Sequence, residues 1–154
     1  ETYIGVLARK DLAETLQGQI NDSIKKGAKV LMGNERDGAY FSPTILTDVA
    51  PGMPVFDGET FGPVAAVIKA ENRGDAIELA ANSNYGLGTM LFTKDTDWAK
   101  KVISDIPDGA YFINDMVKSD PRLPFGGTKA SGYGRELSKE GILEFVNRKT
   151  VYIK

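Results

Sequence analysis

Two groups of residues in this 154-residue chain have types and spacings that could do chemistry. Asp57 and Glu59 flank Gly58 just ahead of an apolar run. In a regular strand, side chains two apart point the same way, so the two carboxylates could act as an acid/base pair; on a loop they would simply be solvated. The run Gly126-Gly127-Thr128-Lys129-Ala130-Ser131-Gly132-Tyr133-Gly134 resembles a phosphate cradle in composition. It lacks the order that chemistry needs. A phosphate-binding loop places Lys and then Ser or Thr directly after its last Gly, whereas Tyr133 follows Gly132, and no third Gly falls at the dinucleotide spacing. Two readings stay open for it: a ligand-contacting loop, or a tight irregular loop that uses glycine for positive φ and close backbone approach.

Two absences narrow the chemistry further. With no Cys, the chain has no thiolate nucleophile, disulfide or zinc–thiolate site. With no His, it lacks the commonest general base near neutral pH. No catalytic residue and no metal site are therefore assigned within the chain. A nucleophile, if the chain serves an enzyme, is expected elsewhere. The first residue is Glu1 and apolar residues (Tyr3, Ile4, Val6, Leu7) follow at once, so the chain is expected to be a piece of something longer. The Asn21-Asp22-Ser23 sequon falls on a helical pattern and is read as chance, and Lys25, Lys26 and Lys29 complement a helix C-terminus without a ligand.

The elements that must carry these residues alternate. Leu12, Leu16, Ile20 and Ile24, with Ala13, predict a helix over about 10–26, ended by Gly27. Strands are predicted at 29–32 and 40–47, the second demoted to an edge or irregular strand by Pro43. Val64 to Ile68 reads as a strand buried on both faces. A helix over about 73–82, a strand over 89–93, a helix over about 96–106 capped by Asp95 or Thr96, and a strand over 110–114 follow. A Pro/Gly-rich stretch at 120–134 precedes a last helix at about 136–147 and a terminal strand, Thr150 to Ile153. The order is that of an α/β fold, with a mostly parallel sheet flanked by helices, in one domain over 1–154. Lys+Arg number 19 against 21 Asp+Glu, a net charge of −2, which gives no footprint for nucleic acid. No apolar run reaches a membrane span and no secretion signal opens the chain, so a cytoplasmic location is expected.

Taken together, four segments carry a resemblance. They are Phe41-Ser42-Pro43-Thr44-Ile45-Leu46, Gly58-Glu59-Thr60-Phe61-Gly62-Pro63-Val64, Asn84-Tyr85-Gly86-Leu87-Gly88, and the long run from Leu123 to Glu136. In this order and spacing the chain resembles the C-terminal third of the aldehyde dehydrogenase superfamily, over essentially its whole length. The stretch Val117 to Phe125 is most similar to bacterial enzymes that oxidise succinate semialdehyde.

That resemblance implies a partial catalytic domain with a C-terminal edge strand. It also implies a reaction: a Cys thiolate attacks the aldehyde, the thiohemiacetal gives a hydride to NAD⁺ or NADP⁺, and a Glu-activated water hydrolyses the thioester. The nucleophile and most of the dinucleotide fold are expected upstream of Glu1. Among the residues present, Glu59 matches the carboxylate that accepts hydrogen bonds from the nicotinamide ribose, and Phe61 the aromatic residue beside the nicotinamide. Phe125 matches the wall of the substrate tunnel, and Ser119 a hydroxyl that contacts the distal carboxylate of succinate semialdehyde. Gly58 stands where many relatives carry Glu, and Asp115 where Gly is expected. The resemblance implies an aldehyde as substrate, NAD or NADP as cofactor of the parent enzyme with weak or no binding by this chain alone, and a homo-oligomer formed through the terminal strand. A separate possibility is a non-catalytic self-association module that pairs through that same strand. As ordinary structure, Phe61 and Phe125 would be core aromatics, and the terminal strand would complete an internal sheet.

Overall fold

A computed structural model describes residues 3–154. Two compact units divide the chain, residues 1–72 and 73–154. The first is built on helix α1 (Lys10–Lys25), followed by β1 (Lys29–Met32), β2 (Arg36–Asp37), β3 (Tyr40–Phe41), β4 (Thr44–Thr47), the one-turn α2 (Pro54–Asp57) and β5 (Val64–Ala66). The second holds α3 (Arg73–Ala81), β6 (Tyr85–Gly86), β7 (Thr89–Leu91), α4 (Thr96–Lys101) with a 3₁₀ turn at Ile103–Asp105, β8 (Tyr111–Ile113), β9 (Thr128–Lys129) and α5 (Ser138–Leu143).

Helix α1 forms where its apolar spacing requires, and its buried face is Ala13, Leu16, Ile20 and Ser23. Ile24, expected on that stripe, is 37% exposed. A repeat of four advances about 40° beyond a full turn at each step, so Ile24 has rotated off the face and Ser23 replaces it. Around this stripe cluster Ala28, Phe41, Leu46, Val49, Met53 and Val55, the core of the first unit.

The first unit's sheet runs β1-β4-β5, with β4 antiparallel to β1 and parallel to β5. Pro43 breaks the expected 40–47 strand into β3 and β4. It sits before the ladder, so β4 loses no donor and is the central strand, not an edge one. The run at 64–68 is shorter than expected and is not buried on both faces: β5 lies at the sheet edge, with Ala65 exposed and Val64 and Ala66 half-buried.

In the second unit β7 and β8 pair in parallel and β6 and β9 antiparallel. Pairing among the described residues is therefore mixed rather than mostly parallel. Asp95 caps α4, its Oδ1 accepting from Trp98 N at 3.0 Å, while Arg73 bonds Asp95 Oδ2 at 2.9 Å and lies 5.0 Å from the Trp98 ring centroid. Two expected elements differ. Helix α5 is six residues long, and 150–153 form no strand in this chain, with Val151, Tyr152 and Ile153 all at least 70% exposed.

Since Leu16 is 1% exposed at the centre of the first core, Leu16→Ala is expected to lower stability by about 2–5 kcal/mol. Urea unfolding measures it. A loss below about 1 kcal/mol would place the core elsewhere.

Candidate functional site

The face of α1 that forms the core also fixes the segment carrying Glu59 and Phe61. Ser23 Oγ donates to Gln19 O at 2.8 Å and accepts from Val55 N at 3.2 Å, so a buried hydroxyl satisfies an N–H at the start of α2 that has no partner within the helix. One turn along, Gln19 Nε2 donates to the Glu59 carbonyl at 3.0 Å. Gly62 then passes so close to the helix that a Cβ would meet Leu16 Cδ2 at 2.6 Å. Thr44 N closes the segment on Pro63 O at 2.9 Å. The backbone of 55–63 is thus tied at both ends and in the middle.

The side chains it displays point outward. Glu59 is exposed and has no hydrogen bond or ion pair through its carboxylate among the described residues. Phe61 is 67% exposed, so it is not a core aromatic of this unit. Asp57 does not join Glu59 in a carboxylate pair: its Oδ1 accepts from Gly52 N at 3.1 Å. An acceptor-only group and an apolar ring thus stand two residues apart on a pinned loop, both open to solvent.

In the second unit the Gly-rich run is a self-bonded loop. Thr128 Oγ1 donates to Pro107 O at 2.6 Å, and Ser131 Oγ accepts from Gly86 N at 3.0 Å. Lys129 Nζ donates to Ala81 O and Ser83 O at 3.1 and 2.7 Å, carbonyls at the end of α3. Arg135 donates to Gly127 O and Gly134 O at 3.0 and 2.6 Å. Its polar side chains are spent on the protein's own backbone. Gly132 and Gly134 hold positive φ, and the Gly109 backbone crosses Gly126 with no room for a Cβ. These bonds and close approaches are the features expected of a tight irregular loop.

What the loop holds in place is Phe125, whose N–H and carbonyl both pair with Glu136, at 2.9 and 2.8 Å. Half-buried, Phe125 lines a cavity of about 280 Å³ together with Tyr111, Phe112 and Leu123, and with Lys118 and Asp120. Ser119 is exposed and is flanked by these two cavity residues rather than lining the cavity itself. Sequence reasoning passed over Lys118. Its signal was the Asp115/Lys118 spacing of three, and the pair meets at 2.7 Å. A second hollow, about 440 Å³ beside α5, is lined by Arg135, Glu140 and Glu144 and contains none of the expected residues.

Electrostatics at the cavity mouth are local. Arg122 grips Asp120 with two bonds, 2.9 and 2.6 Å, and with its own N–H holds that carboxyl far below the usual range. Lys118 and the Met116 N–H hold the Asp115 carboxyl down as well. Burial pushes the Tyr111 phenol up, and the charges of Asp108 and Asp105 add to the shift.

Residues 1–151 match the aldehyde dehydrogenase family, and the chain belongs to it. It is 46% identical, over 99% of its length, to a probable NADP(+) succinate-semialdehyde dehydrogenase of Synechocystis, of which it covers 34%. It is 45% identical, over 97%, to the NADP(+) succinate-semialdehyde dehydrogenase of Deinococcus radiodurans, covering 32% of that protein. Among solved structures, the succinic semialdehyde dehydrogenase of Streptococcus pyogenes in complex with NADP+ superposes with a TM-score of 0.90 at 39% identity, covering 99% of this chain and 34% of the other. The chain spans about a third of the length of the relatives it matches. No helix among the described residues is long and apolar enough to cross a membrane.

Because its folded pKa is depressed, Asp120 contributes stability that is fully present above the ordinary value of about 3.9 and is lost progressively as pH falls from there through the lower folded value. A carboxyl-carbon NMR titration is expected to show Asp120 still ionised at about pH 3; titration near the ordinary value would mean the Arg122 grip is absent in solution. Ser131→Ala removes the hydroxyl that accepts from Gly86 N, at a cost of about 1–3 kcal/mol. Amide exchange at Gly86 is the readout, and an unchanged rate would deny that contact.

Proposed function

We propose that this chain is the C-terminal portion of an NAD(P)⁺-dependent aldehyde dehydrogenase whose substrate is an aldehyde bearing a distal carboxylate, with succinate semialdehyde as the first case to test. The observation that carries this reading is the display of Glu59 and Phe61, an unengaged carboxylate and a 67% exposed ring, on a loop tied to α1. Family membership and the names of the succinate-semialdehyde relatives support it.

In this reading the ionised Glu59 accepts from the two hydroxyls of the nicotinamide ribose. Hydrogen bonds to a charged acceptor are worth about 1.5–3 kcal/mol each, enough to set the sugar's orientation. Phe61 offers a flat apolar face that restricts where the ring lies. Both act by placement, so the fixed backbone of 55–63 matters as much as the side chains. When bound, the dinucleotide supplies a hydride acceptor. Phe125 walls the aldehyde on the second unit, and Ser119 donates to the far carboxylate. With no Cys in the chain, the nucleophile of the whole enzyme comes from another part of that protein. The isolated chain therefore oxidises no aldehyde and binds the cofactor weakly or not at all.

A second reading rests on a different observation. Residues 150–153 are β-prone and unpaired in this chain, with Tyr152 and Ile153 82% and 87% exposed, which suits pairing with a second copy. Light scattering of the chain with and without residues 148–154 tests it: a dimer that dissociates on truncation supports the pairing, and a monomer in both cases removes it.

In the full-length enzyme Glu59→Gln is expected to slow aldehyde oxidation about 10- to 100-fold by misplacing the nicotinamide, while cofactor-independent ester hydrolysis is retained. Equal loss in both reactions would assign Glu59 a folding role. Turnover of aldehyde by the pure 154-residue chain would overturn the reading of it as an incomplete site.

A further inference from the structure

Two runs of chain, separate in sequence, supply the apolar walls of the second unit's cavity. One is Gly109 to Phe112, leading into β8, and the other is Leu123 to Phe125. Among the described residues, no backbone hydrogen bond joins these two runs. Each is anchored elsewhere: Ala110 O accepts from Thr89 N at 2.8 Å, and Phe125 pairs with Glu136. What connects them sits three residues beyond Phe125. The Thr128 hydroxyl donates to Pro107 O at 2.6 Å, two residues ahead of Gly109. Gly86 O lies farther from that hydroxyl, at 3.2 Å, so its single O–H is spent mainly on Pro107. Between these points the two runs touch, for a Cβ on Gly109 would fall on the Gly126 carbonyl. That contact limits how near the runs can come, and the hydroxyl limits how far apart they can go. Gly109 N also bonds Gly86 O at 3.0 Å, which ties the same turn to β6. Loss of the hydroxyl would therefore slacken the turn without releasing it.

We propose that Thr128 is a positioning residue: its hydroxyl, latched on Pro107 O, sets the separation of the two walls and so the girth of aldehyde that the cavity accepts. This rests on the aldehyde dehydrogenase reading and adds Thr128 and the Pro107 carbonyl to it. Thr128 does not itself line the cavity; it acts through Phe125 on one side and through Tyr111 and Phe112 on the other. Without the O–H, Pro107 O loses its donor and the walls can part. A thin aldehyde then loses the close fit that aims its carbonyl, and a broad one gains room.

The test is steady-state kinetics of the full-length enzyme with succinate semialdehyde and with para-formylbenzoate. Both are carboxylates, but one is a thin chain and the other a ring. The readout is the ratio of kcat/KM for the broad aldehyde to that for the thin one, from which any loss of active enzyme cancels. Thr128→Val keeps the shape of the side chain without the donor, and is expected to raise the ratio about three- to tenfold, within the span of one neutral hydrogen bond. Thr128→Ser keeps the donor and should leave the ratio close to that of the wild type. An unchanged ratio in Thr128→Val, or the same rise in Thr128→Ser, overturns the latch and spares the substrate reading. A wild-type enzyme that oxidises neither aldehyde overturns both. A crystal structure of the wild-type enzyme gives a check that needs no variant. Thr128 Oγ1 within about 3.0 Å of Pro107 O supports the latch, and a hydroxyl turned away from that carbonyl overturns it.

Discussion

One helix face carries two tasks in the first unit, and the rest of its site depends on that sharing. Leu16 and Ile20 are fully buried, each worth about 1.5–3 kcal/mol in transfer from water. That burial locks α1 to the sheet. Ser23, Gln19 and the Leu16 methyl then hold the 55–63 segment from the same side of the same helix. A shift of α1 would move the core and the loop together. Glu59 and Phe61 can therefore be exposed without being loose: their backbone is tied to the helix whose buried stripe anchors the unit's core.

The second unit solves the same problem without a long helix. Its loop from 125 to 136 has little apolar area to bury, so it is organised by hydrogen bonds. Thr128, Lys129, Ser131 and Arg135 all reach backbone atoms of 81–86, 107, 127 and 134. These bonds turn the side chains toward the protein's own backbone. The glycines remove the side chains that would keep these strands of backbone apart. The result is a rigid frame whose exposed products are the Phe125 wall and the cavity mouth.

Much of this was legible in the residues. Most of the α1 stripe, a cap at Asp95 or Thr96, an irregularity at Pro43 and the existence of the strands β7 and β8 follow from period, cap chemistry and a missing N–H. Other features depended on neighbours that a linear pattern cannot show. Ser23 is buried where Val55 N finds an acceptor, and Val64 to Ala66 is an edge because nothing among the described residues pairs beyond it. Residues 150–153 have strand propensity and no partner strand here. Of the candidate site, the loop positions of Glu59 and Phe61 came from resemblance, and their exposure came from the structure. Lys118 was hidden because an ion pair three apart looks the same on any surface until a cavity is found beside it.

The most direct measurement is a crystal structure of the full-length enzyme with its dinucleotide bound. The expected result is a Glu59 carboxylate about 2.5–3.0 Å from both hydroxyls of the nicotinamide ribose, with the Phe61 ring against the nicotinamide. A ribose held by other groups, with Glu59 facing solvent, would contradict the claim that this loop positions the cofactor.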